Sequence, residues 1–446
     1  MSTAALIRPA DERRAVLAVA AGWAALTAAV SASAWLAVGA AQGRYLLQLP
    51  TTANPDWIGG PLRGLEGPLG PSAVSSALIV LCGGYLVALA CAEWISLPSA
   101  LGAVALANLA FTLGPTIVST DVFGYIAYGR ELAAHGLNPY VTAPISLPHD
   151  AILPYVYWKH ETSPYGPLFT ILGAPLGLLS PSAALWSYKA VAGASSVALS
   201  FLVADVARRR GLNPVRATLF VGLNPILLFY AVSGAHNDLL AALLMVGAIG
   251  LALRGHGSTA AAGAVAAAAI KLTFGLALPF VLAGCRRRGA AFRGAAVAAS
   301  AMTAATLLRF GPHVADQLHR IATDPRFDIA FSGPDRLAAA LGTGIDTSLR
   351  GFCAGGAALI ALVMIVRTWR GCDPIAAAGW AFLALLVSIT SLAPWYLVWL
   401  LPLAAVGGSR ALQGAALAAT LYLVAVHLPA LHHQPWLSHA RSITGR

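Results

Sequence analysis

Apolar stretches of roughly twenty residues recur along this chain, and they restrict its fold more than any other feature. A helix needs about 20 such residues to cross a bilayer, and a segment inside lipid must satisfy its own backbone hydrogen bonds. The stretches occupy 15–38, 73–92, 99–118, 184–205, 215–232, 239–253, 291–309, 351–366, 375–390 and 411–430. With 58% hydrophobic and 10% charged residues, the chain is more apolar than a soluble protein of 446 residues needs to be. Short strands of alternating hydrophobicity are missing, which excludes an outer-membrane barrel. The expected fold is therefore an all-α polytopic membrane protein forming a single domain over residues 1–446.

Two more apolar stretches suit neither a loop nor two full crossings. Residues 258–284 are interrupted by Lys271, which predicts a pair of short helices meeting there. Residues 392–407 are entered through Pro394 and predict one short returning helix. With these the count comes to about 13 membrane helices, some short or broken.

Charge sets the expected orientation. Fifteen of the 28 Lys and Arg residues fall with the N-terminus, clustered in short loops that hold Arg208, Arg209, Arg210, Arg216, Arg254, Arg286, Arg287, Arg288 and Arg410. The positive-inside bias makes that side cytoplasmic and predicts a multi-pass protein of the cell membrane. The net charge of +11 then follows from topology and anionic membrane lipids, with no nucleic-acid partner required. Arg8, Arg13 and Arg14 precede an apolar run containing Ala32-Ser33-Ala34, as a secretory leader would. The run is too long for a cleaved core, and Asp11 and Glu12 dilute the leader, so no cleavage is expected. The five cysteines lack metal-ligand spacing and read as small packing residues.

Polar chemistry gathers on the opposite, outer side, in two long segments at 119–183 and 311–350. The first opens with Asp121, a carboxylate at a membrane boundary, which is costly to keep unless its charge is used. Its expected use is as a base, and an ordinary helix cap is the competing structural reading. Val122, Tyr125, Tyr128 and Leu132 recur at helical spacing, predicting an amphipathic helix from 121 to 135 lying along the interface. Gly136-Leu137-Asn138-Pro139-Tyr140 breaks it, and Ser163-Pro164-Tyr165-Gly166-Pro167 starts a second interfacial or re-entrant stretch. His160 and Glu161 are alternative bases. Gly234-Ala235-His236-Asn237-Asp238 marks an outward turn, where Asp238 serves as an N-cap or binds sugar. Lys271, one of three lysines, sits between apolar arms and suits either an anionic partner or a snorkelling stem. Arg320, Arg326 and Arg336 have the planar guanidinium that grips phosphate, or are surface charge. Trp395 and Tyr396 could stack on a sugar or an isoprene, or belong to an interfacial aromatic belt. Asp121 has no adjacent carboxylate and Asp324-Pro325-Arg326-Phe327-Asp328 is broken by proline, so neither a metal nor any other cofactor is expected. No glycine-rich phosphate loop points to a nucleotide sugar.

Taken together, Asp121-Val122-Phe123-Gly124-Tyr125, Gly136–Tyr140, Ser163–Leu168, Gly234–Asp238 and Lys271 resemble the actinobacterial polyprenol-phosphate-mannose-dependent mannosyltransferases. These are integral-membrane glycosyltransferases of the GT-C superfamily, and the likeness is to their α-1,6-mannosyltransferases of lipomannan-type cores. It runs from about residue 100 to 402. The resemblance implies a polyprenyl-phosphate mannose donor, a lipid-linked mannoside or glycan acceptor, and inverting transfer at the outer face with Asp121 as base. It also implies phosphate contacts from Lys271, Arg320, Arg326 and Arg336. Sugar contacts would come from Tyr125, His160, Glu161, Tyr165, His236, Asn237, Asp238, Trp395 and Tyr396. The rival readings are a transferase using another prenyl-phosphate sugar, a polymerase or ligase of lipid-linked glycans, and a lipid or glycan flippase. No second half echoes the first, which argues against the flippase.

Overall fold

A computed structural model describes residues 9–42, 49, 55–65, 69–315 and 329–430. The described residues are helical and contain no strand. The longer helices are α1 (Pro9–Gly39), α2 (Pro71–Ala90), α3 (Leu97–Leu113), α4 (Asp121–Ala133), α5 (Pro167–Gly177), α6 (Pro181–Arg209), α7 (Pro214–Gly222) and α8 (Asp238–Leu253). They continue with α9 (Gly257–Ile270), α10 (Leu278–Gly284), α11 (Arg288–Phe310), α12 (Gly333–Leu341), α13 (Thr347–Trp369), α14 (Pro374–Ser388), α15 (Leu401–Val406) and α16 (Arg410–Val426).

Five of these, α1, α2, α6, α11 and α13, are long and apolar enough to cross a membrane. They differ in what surrounds them. Just over half of the apolar window of α6 is buried, whereas none of that of α13 is. Leu308, Phe352 and Val297 are 89%, 73% and 70% exposed, so α11 and α13 turn large apolar side chains outward. In water such a belt would drive aggregation, and lipid is its fitting solvent. The core gathers around α3, α6, α7 and α8, where Phe111, Phe229 and Trp399 are fully buried.

Helix starts follow local chemistry. Ser96, Ser180, Asn213, Asp346, Asp373 and Ser409 each accept a hydrogen bond from a backbone N–H of the first turn, and proline opens α2, α5, α6, α7 and α14. Four starts, those of α4, α8, α9 and α11, have neither device. The helices beginning at Asp121 and Asp238 have no side-chain cap, so neither aspartate is retained for capping.

The expected break at Lys271 is present: α9 ends at Ile270, Lys271 is extended, and a 3-10 stretch (Leu272–Ala277) leads into α10. The returning segment is a 3-10 stretch (Pro394–Trp399) followed by α15. The apolar run at 215–232 is not one helix. It stops at Gly222 and resumes beyond Pro225 as a π-helical stretch, Leu227–Val232. Asn224 repairs the break, accepting from the N–H groups of Ile226 and Leu227 while donating to Tyr85 and Thr420.

Helix α4 also departs from expectation. The hydrophobic spacing predicts a helix with one wet face, yet Val122 through Gly129 are all buried, as are Glu131 and Leu132. Helix α5 packs against α4, and the segment from Tyr140 to Tyr165 adds aromatic cover. Side chains at Gly129 and Gly177 would collide with the opposing backbone, so the absence of Cβ atoms is what lets these helices touch.

Candidate active site

Four chain segments far apart in sequence converge at the first turn of α4. The loop before it places Val118 at φ 66°, a left-handed conformation that a β-branched residue adopts only under constraint from its surroundings. Ser119 then accepts the Asp121 N–H through its hydroxyl at 3.2 Å, leaving the Asp121 carboxylate to point elsewhere. It faces His236, whose Nδ1 lies 3.6 Å from Oδ2, beyond an ordinary hydrogen bond. His236 follows Ala235, another non-glycine residue in the left-handed region (φ 56°). Its ring stacks on Trp395, with centroids 3.9 Å apart and planes at 16°.

The neighbouring carboxylate is arranged differently. Asp238 is fully buried and its Oδ1 takes two strong donors, Lys271 Nζ at 2.7 Å and Trp399 Nε1 at 2.5 Å. Lys271 sits over the Tyr396 ring at 4.3 Å and near that of Trp399 at 5.3 Å, and these rings stack on each other. Its stem is therefore not snorkelling freely; ion pairing and cation–π contact hold the ammonium in place. The Tyr125 ring meets Tyr165 edge-on at 4.7 Å and completes the aromatic wall.

Charge and burial act together here. Burial pushes the Asp121 carboxyl up to about 6, Lys271 pulls it back, and Asp238 adds to the rise. Burial holds His236 well below its usual range, with the Lys271 charge adding to the effect, so the imidazole is neutral. Both ring nitrogens of His236, both side-chain polar atoms of Asn237 and Oδ2 of Asp238 are buried without a hydrogen-bond partner. Leaving so many donors and acceptors unmatched costs roughly 1–3 kcal/mol apiece, and they are concentrated in one place beside Asp121.

The sequence expectations are thus brought together for Asp121, Tyr125, Tyr165, His236, Asn237, Asp238, Lys271, Trp395 and Tyr396. Three others stand apart. Glu161 is half-buried and its backbone carbonyl accepts from the Tyr128 hydroxyl, while His160 beside it is exposed. Arg336 donates to the Tyr422 hydroxyl at 3.3 Å and covers the Phe331 ring at 4.5 Å, so it is engaged away from Asp121. Arg320 and Arg326 lie outside the described residues. Among the described residues no group of three or more His, Cys, Asp or Glu side chains is placed to hold a metal ion.

Sequence reasoning missed three contributors. Lys189 is fully buried and donates to the carbonyls of Pro115 at 3.3 Å and Ser233 at 2.9 Å, clamping the loops that lead to Asp121 and His236. A lone lysine on an apolar helix was the available signal. Trp399 gave none, because its partner Asp238 is distant in sequence. Gly166 donates its N–H to the Ile270 carbonyl at 3.1 Å, and a Cβ there would strike the Ala269 carbonyl, so the Tyr165 loop is locked to the helix break at Lys271.

The same segments are those that known proteins share. Residues 27–286 match the family model for the N-terminal domain of alpha-(1->6)-mannopyranosyltransferases, and residues 339–442 match a model described as the MptB C-terminal domain. Asp121, His236, Asp238 and Lys271 fall in the first match, and Trp395, Tyr396 and Trp399 in the second. Similar proteins include alpha-(1->6)-mannopyranosyltransferase A of Mycobacterium tuberculosis, 29% identical over 38% of this chain and 34% of its own length. Alpha-(1->6)-mannopyranosyltransferase A of Corynebacterium glutamicum is 28% identical over 37% of this chain and 34% of its own length, and the B enzyme of that organism is 27% identical over 41% and 34%. The alignments span about a third of those relatives. No solved structure matches. With the N-terminal family model covering more than half of its residues, the chain belongs to the alpha-(1->6)-mannopyranosyltransferase family.

Proposed function

We propose that this protein is an inverting mannosyltransferase that moves mannose from a polyprenyl-phosphate carrier to a hydroxyl of a lipid-linked mannoside or glycan, forming an α-1,6 bond. The observation that carries the reading is the cluster of unmatched polar atoms at His236, Asn237 and Asp238 beside the partly open carboxylate of Asp121. Membership of the alpha-(1->6)-mannopyranosyltransferase family supports the choice of sugar and linkage.

Each residue then has a task. Asp121 takes the proton of the acceptor hydroxyl, whose oxygen bonds to the anomeric carbon while the bond from that carbon to the carrier phosphate breaks. The electron pair leaves with the polyprenyl phosphate, and attack opposite the leaving group gives the α product from a β-linked donor. Lys271 offers the positive charge that a departing phosphate requires, released in part from Asp238 as the anion arrives. Asn237 and the free oxygen of Asp238 bind sugar hydroxyls, and neutral His236 can donate to one of them. Tyr125, Tyr165, Trp395 and Tyr396 form an apolar wall for the sugar faces or the first isoprene units. Arg320 and Arg326 of the 311–350 segment are further candidates for the phosphate.

The proposed setting is a GT-C-type unit of about 13 membrane helices spanning residues 1–446, with 119–183 as the catalytic loop. The basic loops would face the cytoplasm and the Asp121 end the outside, where a lipid carrier can present sugar without a nucleotide. Purified protein given radiolabelled polyprenyl-phosphate mannose and a mannosyl-lipid acceptor should release an α-1,6-linked product. Absence of transfer from any prenyl-phosphate sugar would overturn the class, and transfer of another sugar alone would overturn the donor.

A further inference from the structure

The end of the bundle opposite Asp121 holds a cavity. Glu93 precedes α3 and Asp121 follows it, so a 17-residue helix, roughly 25 Å at 1.5 Å per residue, separates the two ends. The cavity is open to solvent and measures about 400 Å³. Its walls fall into two halves. Leu212, Ala217, Phe220 and Ala405 make an apolar inner side, while Arg216, Arg410, Asn213 and Gln413 make a polar, cationic rim. The first turns of α7 and α16 open on the same space, their caps Asn213 and Ser409 having closed only one N–H each.

The charge balance there is positive. Glu93 is the one acidic residue of the lining, and it lies 4.0 Å from Arg216 with most of its side chain in solvent, a contact worth little. Arg410 has no ion pair among the described residues. The contrast with nearby arginines is sharp: Arg210 is bound to Asp373 at 2.7 Å, and Arg209 and Arg254 share Asp205 at 2.9 and 2.8 Å. Arg410 and the weakly paired Arg216 thus border an open cavity with an apolar back wall, at the end of a bundle whose flanks suit lipid.

We propose that this cavity binds the phosphate of an anionic phospholipid, its headgroup between Arg216 and Arg410 and the start of its acyl region against Phe220 and Leu212. The guanidinium fork suits a phosphodiester, and the apolar wall suits what is attached to it. The site is independent of sugar transfer.

The full chain, purified in detergent and incubated with equal phosphatidylglycerol and phosphatidylcholine, is examined by native mass spectrometry for retained lipid. Wild type should keep the anionic lipid preferentially, and the double substitution Arg216→Gln with Arg410→Gln should lower its retention roughly tenfold or more, as loss of charge-assisted hydrogen bonds does. Arg370→Gln, exposed on the same end but outside the lining, should change it little. Equal retention of both lipids by wild type would show no preference for the anion, and as large a loss in Arg370→Gln would mean mere surface attraction; either result overturns the site. Adding inorganic phosphate separates the sources: lipid that stays supports the proposal, and lipid displaced by equimolar phosphate assigns the cavity to the free ion instead. The single substitution Arg410→Gln, at an exposed residue with no ion pair among the described residues, should lower retention several-fold and keeps the test decisive if the double variant fails to fold.

Discussion

Asp121 and Asp238 each begin a helix without capping it, yet their surroundings differ in kind. Asp238 is fully buried and its charge is answered by Lys271 and Trp399. Asp121 keeps 20% of its side chain open and faces a neutral imidazole at 3.6 Å. One carboxylate is spent on holding the site together, and the other is left basic and reachable. The same residue type at the same helical position thus acquires its role from its neighbours, and the contrast can be probed from both sides.

The largest effect is expected at Asp121. Asp121→Asn should lower mannosyl transfer by about 10²–10⁴ with the fold intact, because the proposed mechanism loses its general base while the shape is kept. Circular dichroism and a transfer assay on the same preparation check this, and near-normal turnover in a folded Asp121→Asn protein would end the distinction between the two aspartates.

Next comes the buried pair. Lys271→Met strands Asp238 without its cation, which should destabilise the protein by roughly 3–5 kcal/mol, and adding Asp238→Asn should recover a good part of that. Thermal unfolding in detergent across the four proteins of the cycle measures the coupling. Strict additivity would show that Asp238 is no more a structural partner than Asp121.

Lys189→Met should follow, at about 1–3 kcal/mol, since it leaves the Pro115 and Ser233 carbonyls without their donor. The loss of turnover should exceed what the lowered unfolding temperature explains, because both site loops are loosened. An unchanged turnover number in the folded fraction would make the lysine purely architectural.

A gentler effect is expected with pH. The Asp121 carboxyl, raised to about 6, must be ionised to accept a proton. The ratio kcat/KM should therefore be flat above about 6 and fall toward tenfold per unit below it. An acid limb displaced to the ordinary carboxylate range would place the base elsewhere. The smallest change is expected from a chelator, which should leave the rate untouched because Asp238 is already committed to Lys271. Inhibition reversed by a divalent cation would instead join the two aspartates in one metal site.

Much of this arrangement could be read in the residues before any coordinates. The apolar runs anticipate α2, α3, α6 and α8 because each must bury or offer to lipid its own twenty-residue face. The break at Lys271 was legible because a lysine between apolar arms opposes a continuous helix in lipid. Asp121, His236 and Asp238 stood out as charged or polar groups at the ends of such runs. The partnerships were not legible, since nothing local relates Asp238 to Trp399 or Lys189 to Pro115; those contacts arise when distant helices pack. The burial of α4 escaped for a similar reason. Its polar-looking face is covered by α5, and what permits that cover is the lack of side chains at Gly129 and Gly177, a feature with no hydrophobic periodicity to announce it.

The bond from the Gly166 N–H to the Ile270 carbonyl bears on how such enzymes can be recombined. The Tyr165 loop and the Lys271 break meet backbone to backbone at a point with no room for a side chain. Engineers seeking a new acceptor range by grafting that loop from a relative would have to move residues around Ala269 and Ile270 with it. The transplantable unit is the pair, and a graft of either part alone carries only half of a joint.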